Sequence, residues 1–355
     1  MKTEIAVLGK GAAEDEKILS HAAEIIRSGG LAAFPTETVY GLGANALDPE
    51  AAKKIYAAKG RPSDNPLIIH ISRAEDADKY AYVPDVYQKL AEAFLPGPLT
   101  VIMKKRDIIP LTVTGGLDSV AVRLPSHPAA RRLIELAGVP IAAPSANISG
   151  RPSPTSAAHV IEDMNGRADM IIDGGACQIG LESTIIKLTE DGAVLLRPGG
   201  ITLEALREVL GNVGVDKAVT GKLAQGEHPL APGMKYRHYA PRAPLTLIDG
   251  TDEEFVEFAG QKLGEQDAVI ACDEDCSALL EHGFSADRLL ALGGRDDISA
   301  QAAALFDRLR LCDTRGFERI FARLPEKSGL SFALYNRIIK AAGYTVINAE
   351  TGKNE

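Results

Sequence analysis

The chain has 355 residues, 45% of them hydrophobic, with 39 Lys and Arg against 48 Asp and Glu and a formal net charge of -9. That length supports one large domain and a smaller one, each with its own core, and the acidity argues against a protein whose main affinity comes from neutralising a nucleic-acid backbone. No apolar run is long enough to cross a bilayer, and Met1 to Lys17 is charged where a signal peptide would be hydrophobic, so a cytoplasmic protein without membrane contact is expected.

Glu14 to Ser28 is apolar at helical spacing and is stopped by Gly29-Gly30; Leu31 to Phe34 follows as a short strand. Asp48-Pro49-Glu50 starts a second helix with an N-cap and a proline at its first position, and Gly60 ends it, which puts Lys59 at a helix C-terminus. Further strands are expected at Pro66 to Ile71, Leu99 to Lys104, Val120 to Leu124, Val139 to Ala143, Met170 to Ile172, Ser183 to Leu188 and Ala193 to Arg197. Helices are expected near 84–95, 128–137, 155–164 and 202–210. Strands and helices so interleaved imply a mixed α/β sheet over residues 1–212.

Between Gly211 and Pro244 the pattern dissolves into Gly, Pro, Lys and His, which reads as a linker, 213–244. Residues 245–355 then alternate five strands, Leu245 to Asp249, Ala268 to Cys272, Arg288 to Leu292, Phe317 to Arg323 and Tyr344 to Ile347, with helices around 253–263, 299–312 and 331–342. This is a second, smaller α/β domain with a parallel sheet. No P-loop occurs. Gly41 to Ala46 fits a relaxed dinucleotide fingerprint only formally, since the helix starts too late and no acidic ribose partner follows. The four cysteines, Cys177, Cys272, Cys276 and Cys312, have no His or Cys partner at zinc-ligand spacing and read as ordinary reduced thiols.

Charge is uneven. Residues 51–150 hold 13 Lys and Arg against 9 Asp and Glu, so an anionic ligand is sought there. In Lys59-Gly60-Arg61-Pro62-Ser63-Asp64-Asn65-Pro66 two cations and an amide are held between prolines just before a strand. The bland alternative is that Lys59 complements the helix dipole and Arg61 is solvated. Phe34 to Gly43 places hydroxyls and a carboxylate directly after an apolar strand, where α/β sheets hold ligands; a capped turn with a packed Tyr explains it as well. Pro144 to Gly150 is small and polar after another strand and leads through Thr155 into a helix N-terminus, which suits phosphate or is simply a capped Ser-rich loop. Arg123 ends a core strand and needs a partner, for which a bidentate carboxylate is suited. His70, inside Leu67 to Ile71, reads on its own as a satisfied core group.

In this order, Phe34 to Gly43, Lys59 to Pro66, Val120 to Pro125, Pro144 to Gly150, Glu182 to Ile186 and Arg197 to Gly199 resemble the signature segments of the YrdC-like family of threonylcarbamoyl-AMP synthases. Pro232 to Pro241 and the additional C-terminal domain resemble the long form of that family. The resemblance implies a YrdC-like mixed twisted sheet with flanking helices and a smaller Rossmann-like α/β domain. It also implies condensation of L-threonine with bicarbonate to a carbamate that attacks the α-phosphate of ATP. Such transfer is mainly positioning and charge stabilisation, so it needs cations and donors rather than a covalent nucleophile.

Carried over by motif position, Lys59, Arg61, Ser145 and Asn147 match the family's core active-site residues. Lys59, Arg61, Asn65, Ser119, Asn147, Thr155, Arg197 and Tyr236 would contact ATP. Thr38, His70, Arg123, Ser145 and Ser183 would form the threonine pocket, which moves His70 from core residue to ligand contact. The linker would serve as a lid. Mg²⁺ is expected with ATP, but no protein ligand for it can be named. The implied partner is a tRNA threonylcarbamoyl transferase complex that takes the product, with room for a weak, local tRNA contact. The rival readings are a double-stranded RNA or tRNA binding module without catalysis, against which stand the acidity and an aromatic content of only 5%, a carbamoyl-transfer enzyme of the same fold, and a non-catalytic scaffold.

Overall fold

The computed structural model describes residues 2–221, 229–232 and 238–354. The chain divides into two compact units, Met1–Ser149 with Ser153–Tyr236, and Gly150–Pro152 with Arg237–Glu355. Among the described residues no helix is long and apolar enough to cross a membrane.

The first unit is built on eleven strands: β1 (Glu4–Val7), β2 (Ala32–Phe34), β3 (Gly41–Asn45), β4 (Ile68–His70), β5 (Leu99–Lys104), β6 (Ser119–Arg123), β7 (Ile141–Ala142), β8 (Met170–Asp173), β9 (Thr184–Thr189), β10 (Gly192–Arg197) and β11 (Val213–Val215). They form one mixed sheet in the order β1-β8-β2-β3-β7-β4-β6-β5-β9-β10-β11. Helix Ala12–Arg27 carries Glu14 and Asp15 in its first turn and Arg27 in its last, which suits the helix dipole. Its Leu19, Ala22, Ala23 and Ile26 recur at helical spacing and pack with Leu133, Ile134 and Ala137 of helix Pro128–Ala137 over Phe34, Ile141 and Ile172 of the sheet. Helix Pro49–Lys59 is capped by Asp48, whose carboxylate accepts from the Glu50 N–H, and it ends at Gly60 with φ 60°, the left-handed conformation that glycine adopts without strain.

Three strands lie where the sequence signalled none. β1 is an edge strand with Ile5 and Val7 exposed, so no buried alternation marks it. β3 contains two glycines and little intrinsic strand preference; antiparallel pairing with β2 and β7 makes it a strand. β11 pairs with β10 inside the stretch read as linker.

The second unit has a five-stranded sheet of β12 (Leu245–Asp249), β13 (Asp267–Ala271), β14 (Leu289–Ala291), β15 (Arg319–Arg323) and β16 (Val346–Asn348), in the order β14-β13-β15-β12-β16. Every pairing between them is parallel, as the alternation of strands and helices required. Helix Asp273–Glu281 was not anticipated, because its acidic start reads as a loop; Asp273, Glu274 and Asp275 instead sit in a first turn, where negative charge is favourable.

Gly199 packs against the chain just before β9: a Cβ there would stand 2.4 Å from the Thr184 nitrogen and 2.7 Å from the Glu182 carbonyl oxygen. Because those obstacles are backbone, Gly199→Ala is expected to cost about 1–3 kcal/mol, read as a lowered urea midpoint at unchanged slope.

Candidate active site

A row of polar side chains crosses the middle of the first sheet. Register pairs His70 on β4 with Arg123 on β6, and Arg123 with Thr100 on β5; residues paired in this way share a face. Thr100 continues the row through a 2.7 Å hydrogen bond to the Ser183 hydroxyl, just before β9. From the loop between β2 and β3, Thr38 accepts a 2.8 Å hydrogen bond from Arg123 Nη2, and Glu37 Oε1 accepts another of 2.8 Å. Four of the five residues expected in the threonine pocket, Thr38, His70, Arg123 and Ser183, therefore meet in one buried row.

The partner of Arg123 is a carboxylate, but one supplied by the protein and held by a single nitrogen rather than as a fork. Arg123 Nε and Glu37 Oε2 are both buried without a hydrogen-bond partner among the described residues. Burial pushes the Glu37 carboxyl up, but the Arg123 charge and hydrogen bond, with backbone N–H groups, outweigh it and hold it below the usual range. Burial, and then the charge of Arg123, push His70 down to about 3, so its ring is neutral at physiological pH. One ring nitrogen, Nδ1, lies 3.3 Å from the Ile141 carbonyl.

A second cluster lies at the end of β7. Lys59 Nζ, 2% exposed, donates to the backbone carbonyls of Ser145 and Asn147 and reaches Asn147 Oδ1 at 3.4 Å. Ser145 Oγ donates to the same Oδ1 at 2.6 Å. Ser145, expected on threonine, is thus bonded into the Lys59 and Asn147 group. Arg61 Nη2 folds back onto the carbonyls of Asn65 (3.2 Å) and Pro66 (2.9 Å), and the Asn65 side-chain oxygen is buried with no partner among the described residues. Loop 35–40 links the two clusters: Thr38 touches Arg123, and the Tyr40 carbonyl accepts from the Ala146 N–H.

The remaining expected residues spread around these clusters. Arg197 donates to the Ser183 carbonyl from Nε (3.0 Å) and to its hydroxyl from Nη2 (3.2 Å). Thr155 is held by His159, and Ser119 lies at the far end of β6 from Arg123. Tyr236 lies outside the described residues. The site also includes residues to which the sequence assigned no role. Glu37 carried a signal, a carboxylate just past an apolar strand with no basic neighbour. Thr100, the one polar residue between Leu99 and Met103, carried another, and Tyr56, whose hydroxyl donates to the Asn65 and Thr112 carbonyls, carried none. Burial raises all four cysteine thiols to about 12, so none is a nucleophile at neutral pH.

A mixed α/β sheet with cations and hydroxyls gathered at its strand ends, joined to a parallel α/β unit, defines the YrdC-like architecture in its two-domain form. Residues 24–199 match the family model described as "Telomere recombination", and residues 201–343 the one described as "Threonylcarbamoyl-AMP synthase, C-terminal domain". Threonylcarbamoyl-AMP synthases of Pyrococcus abyssi and Bacillus subtilis are 49% and 46% identical to the chain, over 92% and 93% of it and 94% of each relative. The crystal structure of P. abyssi Sua5 complexed with L-threonine matches with a TM-score of 0.87 at 45% identity, covering 98% of this chain and 99% of that one. The chain belongs to the threonylcarbamoyl-AMP synthase family.

Removing the charge of Glu37 strands Arg123 in the sheet, so Glu37→Gln is expected to cost about 3–5 kcal/mol in urea unfolding at pH 7. The folded Glu37 pKa lies below its usual 4.5, so its contribution is complete above pH 4.5 and fades as pH falls through the folded value. His70, at about 3 against a usual 6.5, adds acid sensitivity between those values, because the unfolded chain takes up its proton first. A His70→Asn variant should accordingly lose less stability than the parent between pH 6.5 and 4.5.

Proposed function

We propose that the chain condenses L-threonine, bicarbonate and ATP into threonylcarbamoyl-AMP and pyrophosphate, the adenylate used to make threonylcarbamoyladenosine in tRNA. The observation that carries this reading is the full-length likeness to a synthase structure that holds L-threonine. The buried row around Arg123 supports it. Arg123 faces the amino-acid carboxylate with donors left over from Glu37, and the hydroxyls of Thr38 and Ser183 and the neutral ring of His70 fix the rest of the molecule.

The threonine amine, in its neutral form, attacks the carbon of bicarbonate; the carbon–nitrogen bond forms, water leaves, and a carbamate remains. A carbamate oxygen then attacks the α-phosphorus of ATP and the bond to the pyrophosphate breaks. Lys59, Arg61 and Asn65 are placed to hold the triphosphate and offset charge as it moves to the leaving group, with Ser145 and Asn147 orienting Lys59. Ser119, Thr155 and Arg197 complete the nucleotide side, with Tyr236 from the linker. Among the described residues no three His, Cys, Asp or Glu side chains stand together as a metal cage. Mg²⁺ would arrive with ATP, held by phosphate oxygens and water, and no step here runs through it.

The domain assignment belongs to the same proposal: a catalytic domain at 1–212, a linker at 213–244 whose part beyond β11 is the lid, and a Rossmann-like domain at 245–355. A lid is called for because a carbamate hydrolyses readily unless water is kept away. The product passes to a tRNA threonylcarbamoyl transferase complex.

Pyrophosphate release is expected only when threonine, bicarbonate and ATP are all present; release that persists without threonine would refute the assignment. Arg123→Ala should raise the KM for threonine by about tenfold or more, the value of a charge-assisted hydrogen bond, while the KM for ATP changes little. Equal losses for both substrates would contradict the division of roles. For Lys59→Ala the expected effect is on kcat, a decrease of roughly a hundredfold.

A further inference from the structure

The sheet of the second unit leaves a cavity of about 700 Å³ at the carboxyl ends of β12, β13 and β15. The chain crosses this sheet in one direction from β12 to β13 to β14 and in the other from β14 to β15 to β16. Right-handed crossovers therefore place helices Asp252–Lys262 and Asp273–Glu281 on one face and Ile298–Arg315 and Ser331–Ala341 on the other. The loops after β13 and β15 part to opposite faces, and such a parting is where open parallel sheets hold ligands.

The loop after β15 leads into helix Ser331–Ala341, which begins without a side-chain cap, whereas Thr251 and Asp297 cap two of its neighbours. The N–H groups of Gly329, Leu330 and Ser331 make no hydrogen bond to the described residues. Ser331 itself is 9% exposed and lines the cavity, and its hydroxyl has no partner there either. Three open donors beside the unbonded hydroxyl of a largely buried serine that lines the cavity suit an anionic acceptor.

The rest of the lining narrows the choice. Arg295 and Arg323 are each bonded to Asp252 at 2.6 Å and to Asp275, at 2.7 and 3.1 Å, so both cations are fixed and largely neutralised. Asp249, Asp296 and Glu326 also line the cavity, and a bare anion meets their repulsion. A ligand that brings hydroxyl donors with its anion satisfies both sets. Asp249 stands at the carboxyl end of β12, where a carboxylate suits ribose hydroxyls, and Ile270, Leu292 and Leu334 offer an apolar wall for a base.

We propose that this cavity is a second ligand site that takes a nucleoside monophosphate, with the phosphate on the N–H groups of Gly329 to Ser331 and the Ser331 hydroxyl, and the ribose hydroxyls on Asp249. The site is separate from the residues assigned to catalysis, and its occupancy does not depend on the reaction proposed for the first unit.

The test is calorimetric titration of the full chain with AMP and with inorganic phosphate. Ser331→Asp puts a carboxylate where the phosphate would lie, at a helix position that favours negative charge and so preserves the fold. The parent is expected to bind one more equivalent of AMP than this variant. Asp249→Asn, nearly unchanged in shape, should weaken AMP at this site by roughly tenfold while inorganic phosphate, relieved of one repelling carboxylate, binds at least as tightly as to the parent; phosphate itself should bind the parent site more weakly than AMP. Both variants should still release pyrophosphate from threonine, bicarbonate and ATP. AMP binding of parental stoichiometry and affinity in both variants would overturn the proposal. Absence of pyrophosphate release from all three proteins, with the AMP difference intact, would instead count against the synthase reading alone.

Discussion

A guanidinium buried in the middle of an eleven-stranded sheet is the constraint to which the surrounding structure answers. Arg123 is 5% exposed, and an unpaired charge at such a depth would cost several kcal/mol. Glu37 and Thr38 come down from the loop between β2 and β3 to meet it, Thr100 lies opposite it in register, and His70 on the other side stays neutral. Removing the cation would leave Glu37 a buried anion and His70 without the charge that helps suppress its protonation. The row stands or falls together.

The second cluster follows a different logic. Lys59 is brought to Ser145 and Asn147 by the length of helix Pro49–Lys59 and its left-handed stop at Gly60, and there it is surrounded by carbonyl oxygens. Those bonds fix the cation in place through backbone and amide dipoles. The two clusters therefore differ in kind. One is a charge pair built into a sheet; the other is a cation in a loop cradle.

Much of this was legible in the sequence, for identifiable reasons. Helix Pro49–Lys59 was readable to the residue because its cap, its first-position proline and its terminal glycine are local signals. The polar segments at strand ends stood out by recurring in order along the chain, since a capped turn or a Ser-rich loop explains each of them taken alone. β3 was not legible, since its strand character comes from neighbours on both sides and not from Gly-Leu-Gly-Ala-Asn itself. Nor was the Arg123–Glu37 pair. Its members are 86 residues apart, and only the fold brings them within 2.8 Å. The resemblance placed Ser145 both with Lys59 and Asn147 and with threonine, and the hydrogen bond to Asn147 Oδ1 is that of the first grouping.

Loop 35–40 closes on itself through pairing of Phe34 with Gly41 at its two ends. Inside it, the Thr36 hydroxyl bonds Thr38 and the Val39 carbonyl, and at its end Tyr40 holds the Gly175 carbonyl at 2.6 Å. A six-residue ring tied at so many points has lost its conformational entropy during folding, before any substrate arrives. Ordering this loop then subtracts little from the binding free energy of any small ligand that meets it, for which a few immobilised rotors would otherwise cancel most of the gain.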